Sequence, residues 1–585
     1  VAITVLTFAG TDGKDILRAA GGKGVRVLRS SGGERGSTLV AETTGAMAHR
    51  MARLPGVRWI EPRVTPKLSN DVARGLIGVS AVWQNPGVFG SGQTVAVADT
   101  GLDVGADSPS LSPDFQGRVA AAFGLGRPGL TNDPHGHGTH VAGSVLGSGV
   151  RSGANPAAQS YSGSFAGIAP EANLVFQSIL DSNGGLGGLP ADLNDLLAQA
   201  YAAGARIHTN SWGADTSGSY PANSAEADEF IWNNPDMTVL FSAGNEALDA
   251  NADGVIDQDS LNSPASAKNV IAVGASESLR SSGGYQIPWA TGSWASDYPA
   301  EPISSDFVSD DPGGMAAFSS RGPCDDGRIK PDIAAPGTNI ISCRSHVLDA
   351  GTLWGIYSND YTYSGGTSMA TPLAAGAAAL VRQYHQQISG GSPSAALVKA
   401  TMMVTAHDMV PGQYGTGAYQ EMTARPNNVE GWGLLNVEAA LSQAPQKSCH
   451  FVDEKIGVST GQQKAYSITV TNTSVPVRVL LVWSDFPGDP AAAKALVNDL
   501  DLTVQGPDSS IRNGNGTLDR TNNVEGVDIA NPLPGSYTIK VSAFKIPQGP
   551  QPFAIAVEGG LPSSGISGRV LSSFGSDVPG VTIAA

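Results

Sequence analysis

Three segments of the sequence carry a carboxylate, an imidazole and a hydroxyl in settings suited to acyl transfer. Val97-Ala-Asp99-Thr-Gly101-Leu-Asp103 sets Asp99 at the end of a short apolar run. A carboxylate at the end of a buried strand is held by the fold, which suits an Asp that orients a histidine and stabilises its charged form. His135-Gly-His137-Gly-Thr-His140-Val-Ala-Gly143 opens a helix of small residues, a rigid mount for an imidazole. Gly365-Gly-Thr-Ser368-Met-Ala-Thr-Pro372 puts Ser368 at the start of an Ala-rich helix, where first-turn amides are free to face an anion. Singly, each segment has a plainer use. A strand-end Asp forms turns or caps, histidines at i, i+2 and i+5 bind metal or line a loop, and Ser caps helices. Together they supply orienting acid, base and nucleophile in the chain order Asp99, His137, Ser368, one of the orders in which this constellation occurs. Gly366-Thr-Ser368-Met-Ala370 lacks the second Gly of a nucleophile elbow, which argues against an α/β-hydrolase. A metal-dependent hydrolase built on the three histidines would need further ligands.

These segments resemble the three signature motifs of the subtilase family, Gly-Thr-Ser-Met-Ala-Thr-Pro most specifically. The resemblance implies that Asp99 orients the base, that His137 is general base and then acid, and that Ser368 is the nucleophile. His137 is preferred over His135 and His140 because it heads the His-Gly-Thr-His match. Phe241-Ser-Ala-Gly244-Asn245-Glu resembles the family's oxyanion strand, so the Asn245 side-chain amide and the Ser368 N–H are expected to donate to the developing oxyanion. Without the triad, Asn245 would read as a turn after a strand. Two further stretches, from Ser178 through Leu180, Gly185 and Gly187 and from Ser211 through Trp212 to Gly213, resemble the segments that flank substrate in subtilases, with Gly244 beside them. Their glycines would let a peptide backbone approach and pair as an added strand. Gly-rich loops are otherwise only turns.

The whole of 70–558 resembles the oxidatively stable alkaline protease group of subtilases, which carry a C-terminal jelly-roll-like domain. Phe318-Ser-Ser-Arg-Gly-Pro323 and Leu481-Val-Trp-Ser-Asp485 are among the matching stretches. Residues 1–66 then resemble a propeptide that acts as folding chaperone and inhibitor, with cleavage expected between about Pro62 and Asn70. The sequence departs from the group in an acidic insertion at about 280–314, a loop at 149–165 and a tail after 559. Calcium is the expected cofactor, with no organic one. Asp249, Asn251, Asp253, Val255 (through its carbonyl) and Asp257 stand at calcium-loop positions, with Gly254 at the turn and Ser260 where such a loop usually ends in Glu. A turn rich in Asn and Asp has the same composition without a metal. Asp485, Asp499, Asp501, Asn523 and Glu525 lie in stretches resembling the family's C-terminal calcium loops.

The elements needed to hold these residues are legible as well. Thr94–Ala98, Leu174–Leu180, Arg206–Asn210, Thr238–Ser242 and Val270–Val273 are short apolar runs bounded by turn residues. Between them lie helical stretches such as His137–Leu146, Leu189–Ala203 and Thr367–His385. Such alternation predicts a parallel sheet covered by helices on both faces, with the active site at the carboxyl ends of its strands. Before it, Val1–Phe8 reads as a strand and Thr44–Leu54 as a helix, with Val57–Ile60 leading into Glu61-Pro62, giving a small α/β unit. After about 444 the period becomes two, in Lys464–Thr471, Val477–Trp483, Leu500–Val504 and Ser536–Val541, which predicts an antiparallel β-sandwich. The expected organisation is therefore a propeptide-like domain at 1–66, a subtilisin-like α/β domain at 67–443, a β-sandwich at 444–558 and the opening of a further β module at 559–585.

Bulk properties narrow the partners. With 41% apolar and 15% charged residues the 585-residue chain can bury a large core and is not disordered. The formal net charge of −17 argues against nucleic acid, which selects clustered Lys and Arg. Residues 1–66 carry a net +5 and the remainder −22, so the basic segment is electrostatically suited to dock on the acidic body. Cys324, Cys343 and Cys449 are too few for a disulfide framework; separate buried thiols are favoured over a Cys324–Cys343 pair. No apolar run reaches a membrane span, and no signal peptide is visible in a chain that starts at Val1. The expectation is a secreted, monomeric serine endopeptidase acting on proteins or peptides, made as a zymogen with its own propeptide as partner. The alternative is a catalytically inactive subtilase fold serving as a surface adhesion module.

Overall fold

Thr94–Asp99 (β1) is apolar at nearly every position because the strand is covered on both sides. Val95 and Val97 enter one core with helices His137–Leu146 (α1) and Thr367–Ser389 (α2), and Ala98 enters another with helices Leu193–Ala202 and Ala222–Asn233. Thr238–Ser242 divides in the same way, Leu240 to the first core, Val239 and Phe241 to the second. This is the side-chain period of two expressed in a strand with no solvent face. The architecture comes from a computed structural model that describes residues 2–571 except positions 9, 10, 20, 22, 23, 34, 35, 63–68, 443–446 and 563–566.

Seven strands form the central sheet, all paired in parallel: β1, Val119–Gly124 (β2), Asn173–Ser178 (β3), Ile207–Asn210 (β4), Thr238–Ser242 (β5), Ile271–Ser276 (β6) and Ile333–Pro336 (β7). Their spatial order is β7-β6-β5-β4-β1-β3-β2. The chain runs outward from β1 to one edge, returns through β3, and then builds the other side from β4. Asp99 therefore ends the strand at which the winding reverses, where loops diverge and leave a crevice. The sequence-based strands recur with ends shifted by a few residues. β2 and β7 were not expected.

Residues 1–67 form a compact unit of their own, and 68–585 form a second. In the first, strands Arg26–Gly33, Gly36–Glu42, Ala2–Thr7 and Val57–Pro62 make an antiparallel sheet in that order. Helices Gly13–Ala19 and Gly45–Met51 join it around Val5, Ile16, Leu39 and Met51. Thr44 caps the second helix by accepting from Met47 N at 3.2 Å. Most of the expected cleavage window, 63–68, lies outside the described residues, as does Val1.

The C-terminal part of the second unit is two antiparallel sheets. One runs Ser448–Val458, Gln551–Gly559, Val477–Val482, Val524–Ile529, and the other Ile511–Asn513, Asp499–Gln505, Gly535–Lys545, Gln463–Val470, Ser567–Leu571. Alternate residues such as Ile468, Val470, Leu502, Val504, Ile539 and Ile555 fill the space between them. The tail expected to open a separate module behaves differently: Ser567–Leu571 pairs with Gln463–Ser467 and becomes the fifth strand of the second sheet. Residues 572–585 lie outside the described residues. The three cysteines are free and buried. Among the described residues no helix is long and apolar enough to cross a membrane.

Candidate active site

The carboxyl end of β1 delivers Asp99, buried, to His137 at the head of α1. Asp99 Oδ1 accepts from His137 Nδ1 at 2.7 Å and from Thr100 N at 2.7 Å. The imidazole is 19% exposed, so one ring nitrogen is held and the other faces the cleft. Burial pulls the His137 pKa down, but the charge and hydrogen bond of Asp99 outweigh it and the net shift is upward from 6.5. The turn ahead of α1 is fixed by Asp133, a buried residue that sequence reasoning passed over. Its Oδ1 accepts from Gly136 N and Thr100 Oγ1, and its Oδ2 from Thr139 N and Oγ1, all between 2.6 and 2.9 Å. Thr100 Oγ1 also accepts from Gly138 N, which ties the Asp99 strand to the His137 helix.

The other two histidines do not form a metal site with His137. His140 is buried with Nε2 on the Ile340 carbonyl at 3.0 Å, and burial pushes its pKa down to about 3, so it is a neutral structural donor. The His135 and His137 rings meet edge to face, 6.0 Å between centroids.

Ser368 is the second residue of α2, which packs directly on α1. Gly376 makes that contact close: a Cβ there would sit 2.5 Å from Ile168 Cβ and 3.0 Å from the Val145 carbonyl. Pro372 has no N–H for the carbonyl four residues back, which is that of Ser368. That carbonyl accepts instead from Ser211 Oγ at 2.8 Å. Ser368 Oγ in turn donates to the Ser211 carbonyl at 3.0 Å, so the two residues exchange hydrogen bonds.

Asn245 follows β5 through Gly244, whose φ of +117° and lack of side-chain space both require glycine. Asn245 Oδ1 accepts from Thr367 N at 2.8 Å and Thr367 Oγ1 at 3.0 Å, which fixes the amide with Nδ2 turned outward. The Asn245 side-chain amide and Ser368 N both lie close to Gly366: its Cβ position would be 3.5 Å from Asn245 Oδ1 and 3.6 Å from both Asn245 Nδ2 and Ser368 N. Thr367 acts as positioning residue for the amide, a role with no sequence signal beyond its place in the motif.

The expected substrate segments divide. Gly185, Gly187 and Gly213 are exposed and Trp212 half-buried, its Nε1 on the Ala98 carbonyl at 3.0 Å. Ser178 and Leu180 are buried: Ser178 Oγ donates to the Thr100 carbonyl at 3.0 Å, and the Leu180 carbonyl accepts from Arg127 Nε at 3.3 Å. Their side chains are thus packed inside the protein, which leaves the expected contact, backbone pairing with a peptide, unaffected. Ser211 and Gly244 are buried beneath the nucleophile and the oxyanion point.

The expected metal ligands also divide. In 249–257 the donors are turned onto the loop's own backbone: Asp249 accepts from Asp253 N and Gly254 N, Asn251 from Asp253 N, Asp253 from Val255 N, and Asp257 from Ala250 N. Asp485 is buried against Lys268, with Nζ to Oδ2 at 2.5 Å, and Asn523 donates to the carbonyls of Lys268 and Trp483. A lysine ammonium, held also by the carbonyls of Phe486 and Ala495, stands where a cation was expected, so Asp485 and Asn523 do not fit calcium. Asp499 and Asp501 share the guanidinium of Arg520. Glu525 Oε2 accepts from Leu502 N at 2.7 Å, while its buried Oε1 has no partner. Among the described residues the one trio of His, Cys, Asp or Glu with ligand atoms all within 4.8 Å is Glu277, Asp306 and Asp310, none of them expected.

Comparison with known proteins agrees with this geometry. Residues 90–433, more than half of the chain, match the family model described as the subtilase family. The serine protease/ABC transporter B family protein tagD of Dictyostelium discoideum is 28% identical over 80% of this chain, which spans 32% of that relative's length. Serine protease AprX of Bacillus subtilis is 30% identical over 58% of this chain and 67% of its own. The thermostable alkaline protease of Halalkalibacterium halodurans is 29% identical over 59% of this chain and 72% of its own.

Proposed function

The chain belongs to the subtilase family, and on that premise we propose that it is an active serine endopeptidase working through Ser368, His137, Asp99 and Asn245. The observation that carries the reading is the convergence of its parts. Asp99 holds His137, and Thr367, next to Ser368, holds the Asn245 side-chain amide by its Oδ1. Ser368 Oγ leaves the Ser211 carbonyl, gives its proton to His137 Nε2 and bonds to the scissile carbonyl carbon. The carbonyl oxygen takes the negative charge and meets Asn245 Nδ2 and Ser368 N. The C–N bond then breaks and the amine leaves with the proton from His137. Water gives a proton to His137 and attacks the acyl carbon, and Ser368 Oγ departs with that proton, freeing the acid.

Residues 1–67, a separate unit with net positive charge at 1–66, suit a propeptide removed between about Pro62 and Asn70. The acidic, loop-rich composition suits work outside the cell as a monomer on protein substrates. For calcium, Asp499 and Asp501 are already neutralised by the Arg520 guanidinium, as Asp485 is by Lys268, so the 249–257 loop, which keeps the oxygen-donor spacing, is the site that suits it better. A calcium ion would stabilise this loop without entering the reaction. A ligand at a hundredfold excess over its Kd adds about 2.7 kcal/mol. Excess chelator should therefore lower the melting temperature by roughly 5 °C, with Asp253→Asn already at the lower value. A melting temperature indifferent to chelator, with no metal in the purified protein, sinks the calcium assignment.

The test of the enzyme is intact-mass spectrometry with peptide mapping after treatment with a phosphonate or sulfonyl fluoride. A single adduct on Ser368, absent in Ser368→Ala, is the expected result. A chain shortened by its first ~66–70 residues, a length set by the size of the basic unit, would add the zymogen. No adduct, even after the N-terminal segment is removed, would mean an inactive fold.

A further inference from the structure

The loop between Cys343 and Tyr361 bridges the two catalytic segments. On one side Ser345 Oγ donates to the Asp133 carbonyl at 2.7 Å, and Gly351 N to the Pro134 carbonyl at 3.3 Å, just ahead of His137. On the other, Trp354 N donates to the Tyr363 carbonyl at 2.9 Å and Tyr363 N to the Gly355 carbonyl at 2.8 Å, on the strand that feeds Ser368. The Trp354 indole lies so close to Gly365 that a Cβ there would sit 1.9 Å from its Cη2.

Residues of the 280–314 insertion back this indole. Tyr285 stacks on Trp354 at 4.7 Å with planes 6° apart, and Trp294 meets it at 5.9 Å. Tyr285 is clamped at both backbone groups by Asn339, N to Oδ1 and Nδ2 to O, each 2.8 Å. Burying aromatic surface this way is favourable only in part, because Trp354 is half-exposed and Tyr285 is 36% exposed. The same loop leaves Leu348 87% and Ile356 49% exposed. Apolar surface gathered beside a reactive centre marks a binding face.

Which part of a substrate meets it follows from the chemistry. The leaving amine takes its proton from His137 and so departs past His137, beside the loop packed on residues 134–136. We propose that Trp354, backed by Tyr285 and Trp294, is a specificity-determining wall on the leaving-group side, selecting substrates with a large apolar residue directly after the scissile bond. This rests on the peptidase reading of the site.

Acyl-enzyme partitioning tests it apart from that reading. An ester substrate acylates the mature enzyme, and phenylalaninamide or glycinamide then competes with water. The wild type should transfer the acyl group to phenylalaninamide about tenfold or more in preference to glycinamide, as one apolar pocket allows. Trp354→Ala should bring the ratio to within about threefold, and Trp354→Phe should keep most of it. If Trp354→Ala does not fold, Tyr285→Ala, which leaves the indole but removes its backing, should lower the ratio severalfold. A wild type without preference, or a preference that survives both alanine variants, overturns the wall. An ester that is not turned over at all overturns the peptidase reading instead.

Discussion

Each catalytic group is held by a partner distant in sequence. Asn245 is aimed by Thr367, 122 positions on, and the Ser368 carbonyl freed by Pro372 is taken up by Ser211, 157 positions back. Asn245→Ala should lower kcat by ~10²–10³ with KM little changed, the size seen when a subtilisin loses this donor. Steady-state kinetics on a small ester would read it; a change confined to KM would place Asn245 outside the oxyanion site. His137 must be neutral to accept a proton, and Asp99 raises its pKa above 6.5, so the imidazolium persists further up the pH scale. Activity should therefore fall as pH drops through an apparent pKa above 6.5. Asp99→Asn should move that limb to lower pH and reduce kcat by about 10⁴. A pH–rate profile of kcat/KM checks both. Asp99, His137, Ser368 and Asn245 could be proposed from sequence because the chemistry assigned to them demands fixed residue types among small neighbours. Asp133 and Thr367 were not, since a carboxylate or hydroxyl that acts through another side chain leaves only an ordinary turn residue in the sequence.

At the scale of elements, the proposed chemistry depends on two helices, α1 beginning at His137 and α2 carrying Ser368 at its second position, that pack closely at Gly376. A methyl at Gly376 would press on Ile168 and the Val145 carbonyl. Gly376→Ala should cost about 1–3 kcal/mol of stability through overpacking, and should lower kcat by shifting His137 relative to Ser368. Denaturant unfolding with parallel kinetics would show it; a stable, fully active variant would mean that the helices slide apart without consequence. β1 and β5 could be read from sequence because strands buried on both faces are apolar throughout. β2 escaped since Val119-Ala-Ala-Ala-Phe-Gly124 lies at the sheet edge, half-exposed and poor in β-branched residues. The four residues of β7 end in proline, which reads as a breaker.

Across the whole second unit, Lys268 joins the α/β part to the sandwich through Asp485, both side chains fully buried. Removing one partner of such a pair strands the other charge, at a cost of about 3–5 kcal/mol. Lys268→Met should lose that much, measured by chemical denaturation, whereas the double variant Lys268→Met/Asp485→Leu should recover most of it. Equal stability of the single variant and the wild type would mean that the contact is not a clamp. Sequence reading made Asp485 a metal ligand because a carboxylate gives no sign of its counterion when the partner lies 217 positions away. The fifth strand, Ser567–Leu571, has its own bearing on how this molecule can be cut. It occupies the outer hydrogen-bonding side of Gln463–Ser467, so a fragment ending near Glu558 would present a bare row of amides and carbonyls along a long strand. Such an edge recruits other chains, and a shortened enzyme would be prone to self-association and precipitation even with its catalytic apparatus intact.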